Sequence, residues 1–401
     1  MYCVKPGVFS GRFKAPPSKP MSQRYLLAAA LAEGATTIKG VEWSDDFTAM
    51  YRAVQPLASL FVKGDEVVAE RREPDSVRAF NVMESGFTLR TAVAVYAGVP
   101  GRTAVYYTGT LRGRPVEDLL EVLKKLTRVE HGPGVVLIEG RKIDSFEVEA
   151  RADVSSQYIS GLMYLASLSR GVVKPVGARK SWHFVEATAE VLNRFGARVR
   201  LGEVVEVEGP LKSPGMLQVP GDYSLAAFLA VAALATGGSV EILGPASKVD
   251  REVLEIFEKM GARMQYFENG VAVSGVLSRG VDVDLSNNPD LALPVALAAA
   301  FVEDVTTIRG VEHLVYKESD RIAAVLDVLK RVGAYAEYSN GAFVVRGPPA
   351  NRGVKFVSHD DHRVVLMALV ASRAVGGCID DVSPVAKSWP AAPLYFYKSS
   401  E

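Results

Sequence analysis

The chain has 401 residues, 48% of them hydrophobic and 23% charged, a composition that suits large buried cores rather than a disordered or fibrous polymer. Lysine plus arginine equals aspartate plus glutamate at 46 each, which argues against a broad phosphate-backbone footprint and so against nucleic acid as a partner. Met1 to Lys14 holds no apolar h-region, and the run Ala226 to Ala235 is too short to span a bilayer, so a soluble cytoplasmic protein without membrane contact is expected.

In chain order, the first notable residue is Cys3, whose only counterpart is the distant Cys378; no disulfide framework and no cysteine-based zinc site is expected, in keeping with a reducing cytosol. A Pro-rich segment, Pro16 to Pro20, then leads into an Ala/Leu-rich helix carrying Lys19 in its lead-in loop, Ser22 as a cap and Arg24 in the first turn. Two cations at a helix N-terminus make an anion site, or equally a capping segment with surface charges. The stretch Ala28 to Asp46 runs from helix through glycine to a Thr-Thr-Ile strand, then Gly-Val-Glu and an acidic cluster; Ala298 to Asp320 repeats it. With weaker copies elsewhere, strand ends fall near Gly40, Gly109, Pro175, Gly244, Gly310 and Asp381, about 65 to 71 residues apart. Several copies continue with a helix ending in Gly-Ala and then a hairpin, as at Gln265 to Val273 and Ala336 to Val345, both turning on Asn-Gly.

Each copy therefore reads as strand, helix, strand, helix, strand, strand. The wide apolar helix faces (Leu26, Leu27, Ala30, Leu31) suit helices packed inside layers of sheet. Six copies divide into two domains of three, one discontinuous (residues 1–17 plus 218–401) and one inserted (residues 18–217), with switches in the Pro/Gly-rich segments.

Chemistry-bearing residues cluster at predicted helix starts. Glu84 to Arg90 sets a flexible turn with Gly86 before a helix, Thr108 to Pro115 puts Arg112 and Arg114 before another, and Ser155-Ser156-Gln157 opens a third. Ser181 is a weaker example, and Asp290 stands where a helix begins, as a reactive carboxylate or a simple cap. In Lys317-Glu318-Ser319-Asp320-Arg321 two cations flank two carboxylates; it is either a solvated first turn or a base with anion-binding groups around a small substrate. Four contiguous residues of His359 to Arg363 cannot converge on one ion, so Arg363 in an anion clamp oriented by Asp361 is the better reading, with Lys387 adding a further cation. Cations, hydroxyl donors and two or three carboxylates suit two small anionic substrates and acid-base chemistry with no cofactor and no metal.

The motifs PxSKxxSxR (Pro16 to Arg24), SGxTxR (Ser85 to Arg90), RPxxxL (Arg114 to Leu119), SSQ (Ser155 to Gln157) and GDxSxA (Gly221 to Ala226) occur in that order. PDxxxP (Pro289 to Pro294), KESDR (Lys317 to Arg321), DHR (Asp361 to Arg363) and KSxP (Lys387 to Pro390) complete the set. Together they resemble the EPSP synthase family of enolpyruvyltransferases, 3-phosphoshikimate 1-carboxyvinyltransferases, across the whole chain. The resemblance implies an α/β fold: a two-domain inside-out α/β barrel, each domain three βαβαββ repeats with the helices buried inside and the active site between the domains. It implies enolpyruvyl transfer from phosphoenolpyruvate to shikimate 3-phosphate by addition and elimination in a likewise cofactor-free monomer.

By position, Lys19, Arg24, Ser155, Ser156, Gln157, Ser181, Asp290 and Lys317 would bind shikimate 3-phosphate. Lys19, Gly86, Arg114, Gln157, Arg321, Arg363 and Lys387 would hold phosphoenolpyruvate, and Lys19, Asp290 and Glu318 would be catalytic. Pro20, Glu84, Phe87, Phe184 and His313 depart from the usual pattern, which bears on substrate affinity and glyphosate sensitivity rather than on the reaction class. A UDP-N-acetylglucosamine enolpyruvyltransferase would usually carry a reactive cysteine within Thr108 to Pro115, where none stands. A silent small-molecule-binding homologue would be expected to lose Lys19, Glu318 or Asp290, and all are present.

Overall fold

Helices that are apolar all round need neighbours on every side. The computed structural model, which describes residues 1–245 and 251–397, provides them. In the helix Tyr223–Thr236 every residue from Tyr223 to Leu234 is buried, and Gly237 ends it in the left-handed conformation that favours glycine. The helix Gly86–Ala97 is buried at every residue, and His362–Val375 at every residue but Ala374. The strands instead alternate buried and exposed residues, as in Phe146–Arg151, so each sheet turns one face to the helices and the other outward. Helices inside and sheets outside make the inside-out α/β arrangement.

Among the described residues, five of the six sheets have four strands and share one order. In the third repeat Phe146–Arg151 pairs in parallel with Arg170–Val176, which pairs antiparallel with Val205–Glu208, which pairs antiparallel with Arg198–Leu201. The helices Ser156–Ala166 and His183–Arg194 make the crossovers, which gives the βαβαββ unit. The expected hairpins form as Ala262–Phe267 with Gly270–Gly275 and Tyr335–Ser339 with Ala342–Arg346.

The chain divides into one compact unit of Met1–Ser18 with Pro220–Glu401 and another of Lys19–Val219. Gln218, expected in the discontinuous domain, belongs to the inserted one, because the strand Met216–Gln218 pairs in parallel with Ala35–Lys39 and completes the first repeat's sheet. The strand Gly11–Lys14 does the same for the fourth repeat by pairing with Val240–Leu243. Each unit thus takes an edge strand from a remote part of the chain.

The sixth sheet has three strands, Tyr2–Val4, Gly377–Ile379 and Val354–Phe356. Here the cysteine expectation fails: Cys3 lies opposite Cys378 in the antiparallel register, and the two form a disulfide. Separation in sequence was a poor guide, because the first strand closes the last repeat. No described helix is long and apolar enough to cross a membrane.

Candidate active site

In the Lys19–Val219 unit, the helix Lys19–Leu31 starts at Lys19 itself, so Ser22 lies buried in its first turn rather than capping it. Proline suits the second position because the first helical N–H groups have no intrahelical acceptor. Lys19 Nζ pairs with Asp46 Oδ2 at 2.8 Å, both side chains being largely buried. Asp46 sits in the first turn of Asp45–Val54, which Ser44 caps. Gln23 Nε2 donates to Asp46 O, Ser85 Oγ and Thr88 Oγ1 at 2.9 to 3.1 Å and so ties three helix starts together.

Arg24 is fully enclosed. Its Nε donates to Thr188 Oγ1, Nη1 to Pro20 O and Nη2 to Phe184 O, at 2.9 to 3.1 Å. The rings of Phe87 and Phe184 lie 4.4 and 5.3 Å from its guanidinium carbon, so two of the departures from the family pattern act as cation–π partners. Burial lowers its pKa to about 10, which leaves it charged at neutral pH.

Gly86 leaves room for two arginines: a Cβ there would stand 2.6 Å from Arg90 Nη1 and 3.3 Å from the Arg114 guanidinium, so a side chain would displace the end of Arg90. Two cations therefore converge over one glycine. Arg90, outside the expected site set although it ends the SGxTxR motif, donates to Gly86 O at 3.1 Å and to Gln157 Oε1 at 2.9 Å. Burial first and then the neighbouring Arg114 bring its pKa down to about 10. Ser155 caps the helix Ser156–Ala166 by accepting from Gln157 N, Ser156 is buried in the first turn, and Ser181 occupies the loop before His183–Arg194 at a positive φ of 51°.

The other unit centres on Arg321, 2% exposed, at the start of Arg321–Arg331. Its Nε and Nη2 grip Asp361 at 2.7 and 3.2 Å, Nη2 also reaches Glu318 Oε2 at 2.8 Å, and Nη1 reaches Asp290 Oδ1 at 3.0 Å. Lys317 Nζ lies 3.3 Å from Asp290 Oδ1 and Arg363 Nη2 lies 3.4 Å from Asp290 Oδ2. Three cations thus interlock with three carboxylates. Asp320 caps the helix by accepting from Ile322 N and Ala323 N.

Asp361 departs from its expected role. Its carboxylate accepts from Arg363 N at 2.9 Å as a helix cap, but the guanidinium it orients is that of Arg321. Arg363 is held instead by Ser224 Oγ at 2.9 Å, itself bonded to Asp222 at 2.6 Å, which gives the GDxSxA motif a physical purpose. Lys387 is buried at the end of the turn Ser383–Lys387. Ligand atoms of Glu318, Asp361 and His362 lie within 4.8 Å of one another, and the Arg321 guanidinium bonds to both of those carboxylates.

Burial alone would raise the Asp290 carboxyl; Arg363, Lys317 and Arg321 outweigh it and hold the group well below the usual carboxylate range. A depressed folded-state pKa stabilises the fold above the unfolded value of about 3.9, and that contribution is lost as pH falls through the folded value. The urea midpoint of the wild type should therefore exceed that of Asp290→Asn at pH 7, with the gap shrinking below about pH 4. A gap that stays constant to pH 2 would contradict this linkage.

The family model for EPSP synthase (3-phosphoshikimate 1-carboxyvinyltransferase) matches residues 4–393. The chain is similar to the 3-phosphoshikimate 1-carboxyvinyltransferase of Methanopyrus kandleri, at 38% identity over 94% of this chain and 92% of the relative. The Korarchaeum cryptofilum protein of that name is 32% identical over 97% and 96%. In fold it is similar to the EPSP synthase of Acinetobacter baumannii, with a TM-score of 0.82 over 98% of this chain and 97% of that one, at 24% identity.

Proposed function

The chain belongs to the EPSP synthase (3-phosphoshikimate 1-carboxyvinyltransferase) family, and from this premise we propose how its charged residues divide the reaction. It transfers the enolpyruvyl group of phosphoenolpyruvate to the 5-hydroxyl of shikimate 3-phosphate, giving 5-enolpyruvylshikimate 3-phosphate and phosphate. In the addition step the 5-hydroxyl oxygen bonds to C2 of phosphoenolpyruvate while its methylene carbon gains a proton. In the elimination step that carbon loses a proton and the C2–O bond to phosphate breaks.

The observation that carries the assignment is the Arg321 fork, which fixes Asp290 and Glu318 at once. Asp290, kept ionised by its cations, accepts the hydroxyl proton; Glu318 exchanges the proton of the methylene carbon. Lys19, Arg24, Ser155, Ser156, Gln157, Ser181, Asp290 and Lys317 bind shikimate 3-phosphate. Gly86, Arg114, Arg321, Arg363 and Lys387 bind phosphoenolpyruvate, with Lys19 and Gln157 serving both substrates. Fixed cations facing these anions need no reorganisation as charge moves, which is where the rate enhancement arises. One chain carries both sets, so it works as a monomer, and charged phosphorylated substrates suit a cytoplasmic enzyme.

A phosphate-release assay with both substrates tests the reading. Glu318→Gln should lower kcat by about 100-fold or more, and Arg114→Ala should mainly raise the KM for phosphoenolpyruvate. Absence of release by the wild type would remove the assignment; equal turnover in Glu318→Gln would remove the role of that residue alone.

A further inference from the structure

The strand Val77–Asn81 ends in a turn in which Asn81 Oδ1 accepts from Met83 N at 2.7 Å and Met83 takes a positive φ of 51°. That turn carries Glu84 against the loop that follows the next strand. Thr108 N donates to Met83 O at 2.9 Å, and Thr110 N donates to Glu84 Oε1 at 2.6 Å. Gly109 lies directly under the carboxylate, at a φ of 58°, and a Cβ there would collide with Glu84 Oε1. The loop continues as the single turn Gly109–Gly113, and Arg114 follows, its N–H donating to Leu111 O at 3.2 Å.

We propose that Glu84 is a positioning residue: its carboxylate anchors one end of this turn and so sets Arg114, at the other end, for the enolpyruvyl donor. The proposal rests on the reading of Arg114 as a phosphoenolpyruvate ligand. An amide hydrogen bond to a carboxylate is charge-assisted and short, and a tight turn transmits its position over a few residues. Glu84 touches no substrate in this scheme; it acts through the loop, and Gly109 leaves it the space to do so.

The test compares steady-state phosphate release by the wild type, Glu84→Ala, Glu84→Gln, Gly109→Ala and Arg114→Ala, each substrate being varied with the other saturating. Glu84→Ala should raise the KM for phosphoenolpyruvate on the order of tenfold while leaving kcat and the KM for shikimate 3-phosphate within about twofold. Gly109→Ala should give the same signature, and Glu84→Gln, which keeps an acceptor oxygen, should recover most of the affinity. An unchanged KM for phosphoenolpyruvate in Glu84→Ala, an equal rise in both KM values, or a Gln variant as impaired as the Ala variant overturns the proposal. A raised KM in Arg114→Ala beside an unchanged one in Glu84→Ala overturns the positioning role alone. Failure of Arg114→Ala to raise it, or no release by the wild type, overturns the underlying reading as well.

Discussion

Replacing Arg321 with methionine should abolish measurable turnover, a loss of about 1,000-fold or more, and destabilise the fold by about 3–5 kcal/mol. Asp361 is fully buried and Arg321 nearly so, and the carboxylates of Asp361, Glu318 and Asp290 all rest on this one guanidinium. Removing it leaves negative charge buried without its partner, the costly half of a broken ion pair. Arg321→Lys should recover part of the stability but little of the rate, because one ammonium cannot replace a planar fork that faces three acceptors. The double variant Arg321→Met/Asp361→Asn should also regain stability without activity, since a neutral amide in place of the Asp361 carboxylate carries no charge to bury. Urea denaturation and the phosphate-release assay read the two effects separately. A double variant no more stable than Arg321→Met would show that the Asp361 charge is not the source of the loss.

Reduction of the Cys3–Cys378 disulfide should lower stability by about 4 kcal/mol and Tm by about 5–10 °C. The bond closes a loop across a sequence separation of 375 residues, so it removes much conformational entropy from the unfolded chain. It acts beside other fastenings of the same end. Tyr2 OH donates to Pro393 O at 2.8 Å, and Arg373 donates to Lys5 O and Val8 O from the helix His362–Val375. These contacts keep the short strand Tyr2–Val4 near its partner after reduction, so the loss should appear as lower stability rather than a changed fold. Calorimetry with and without reductant, on the wild type and on Cys3→Ser, reads it: the reductant should shift Tm only in the wild type. Two free thiols titrated in the native, unreduced protein would contradict the bond itself.

The period of the repeat was legible because each copy must bury an apolar helix under its own sheet, which imposes the same helix-turn-strand grammar each time. The Thr-Thr-Ile strands at Ala35–Lys39 and Thr306–Arg309 and the Asn-Gly hairpin at Tyr335–Ser339 with Ala342–Arg346 show this directly. Such signals are local: propensity, periodicity and turn chemistry act within a few residues. Arg90 and Asp361 were visible inside their motifs, but nothing in the motifs told which partner each would take. Asp361 stands two residues from Arg363 and forty from Arg321, yet its carboxylate grips the distant guanidinium. Glu84 looked like a bare departure from pattern until its bond to Thr110 N gave it a task.

The sequence by itself determined the repeat, the buried helices, the family and the inventory of cations, hydroxyls and carboxylates, because these follow from residue types and short-range spacing. Only the tertiary structure decided the pairings: Asp361 with Arg321, Lys19 with Asp46, Phe87 and Phe184 against Arg24, and Cys3 with Cys378. Pairings depend on which side chains the packed helices and sheets bring within about 3–5 Å, and contacts at that range ignore distance along the chain.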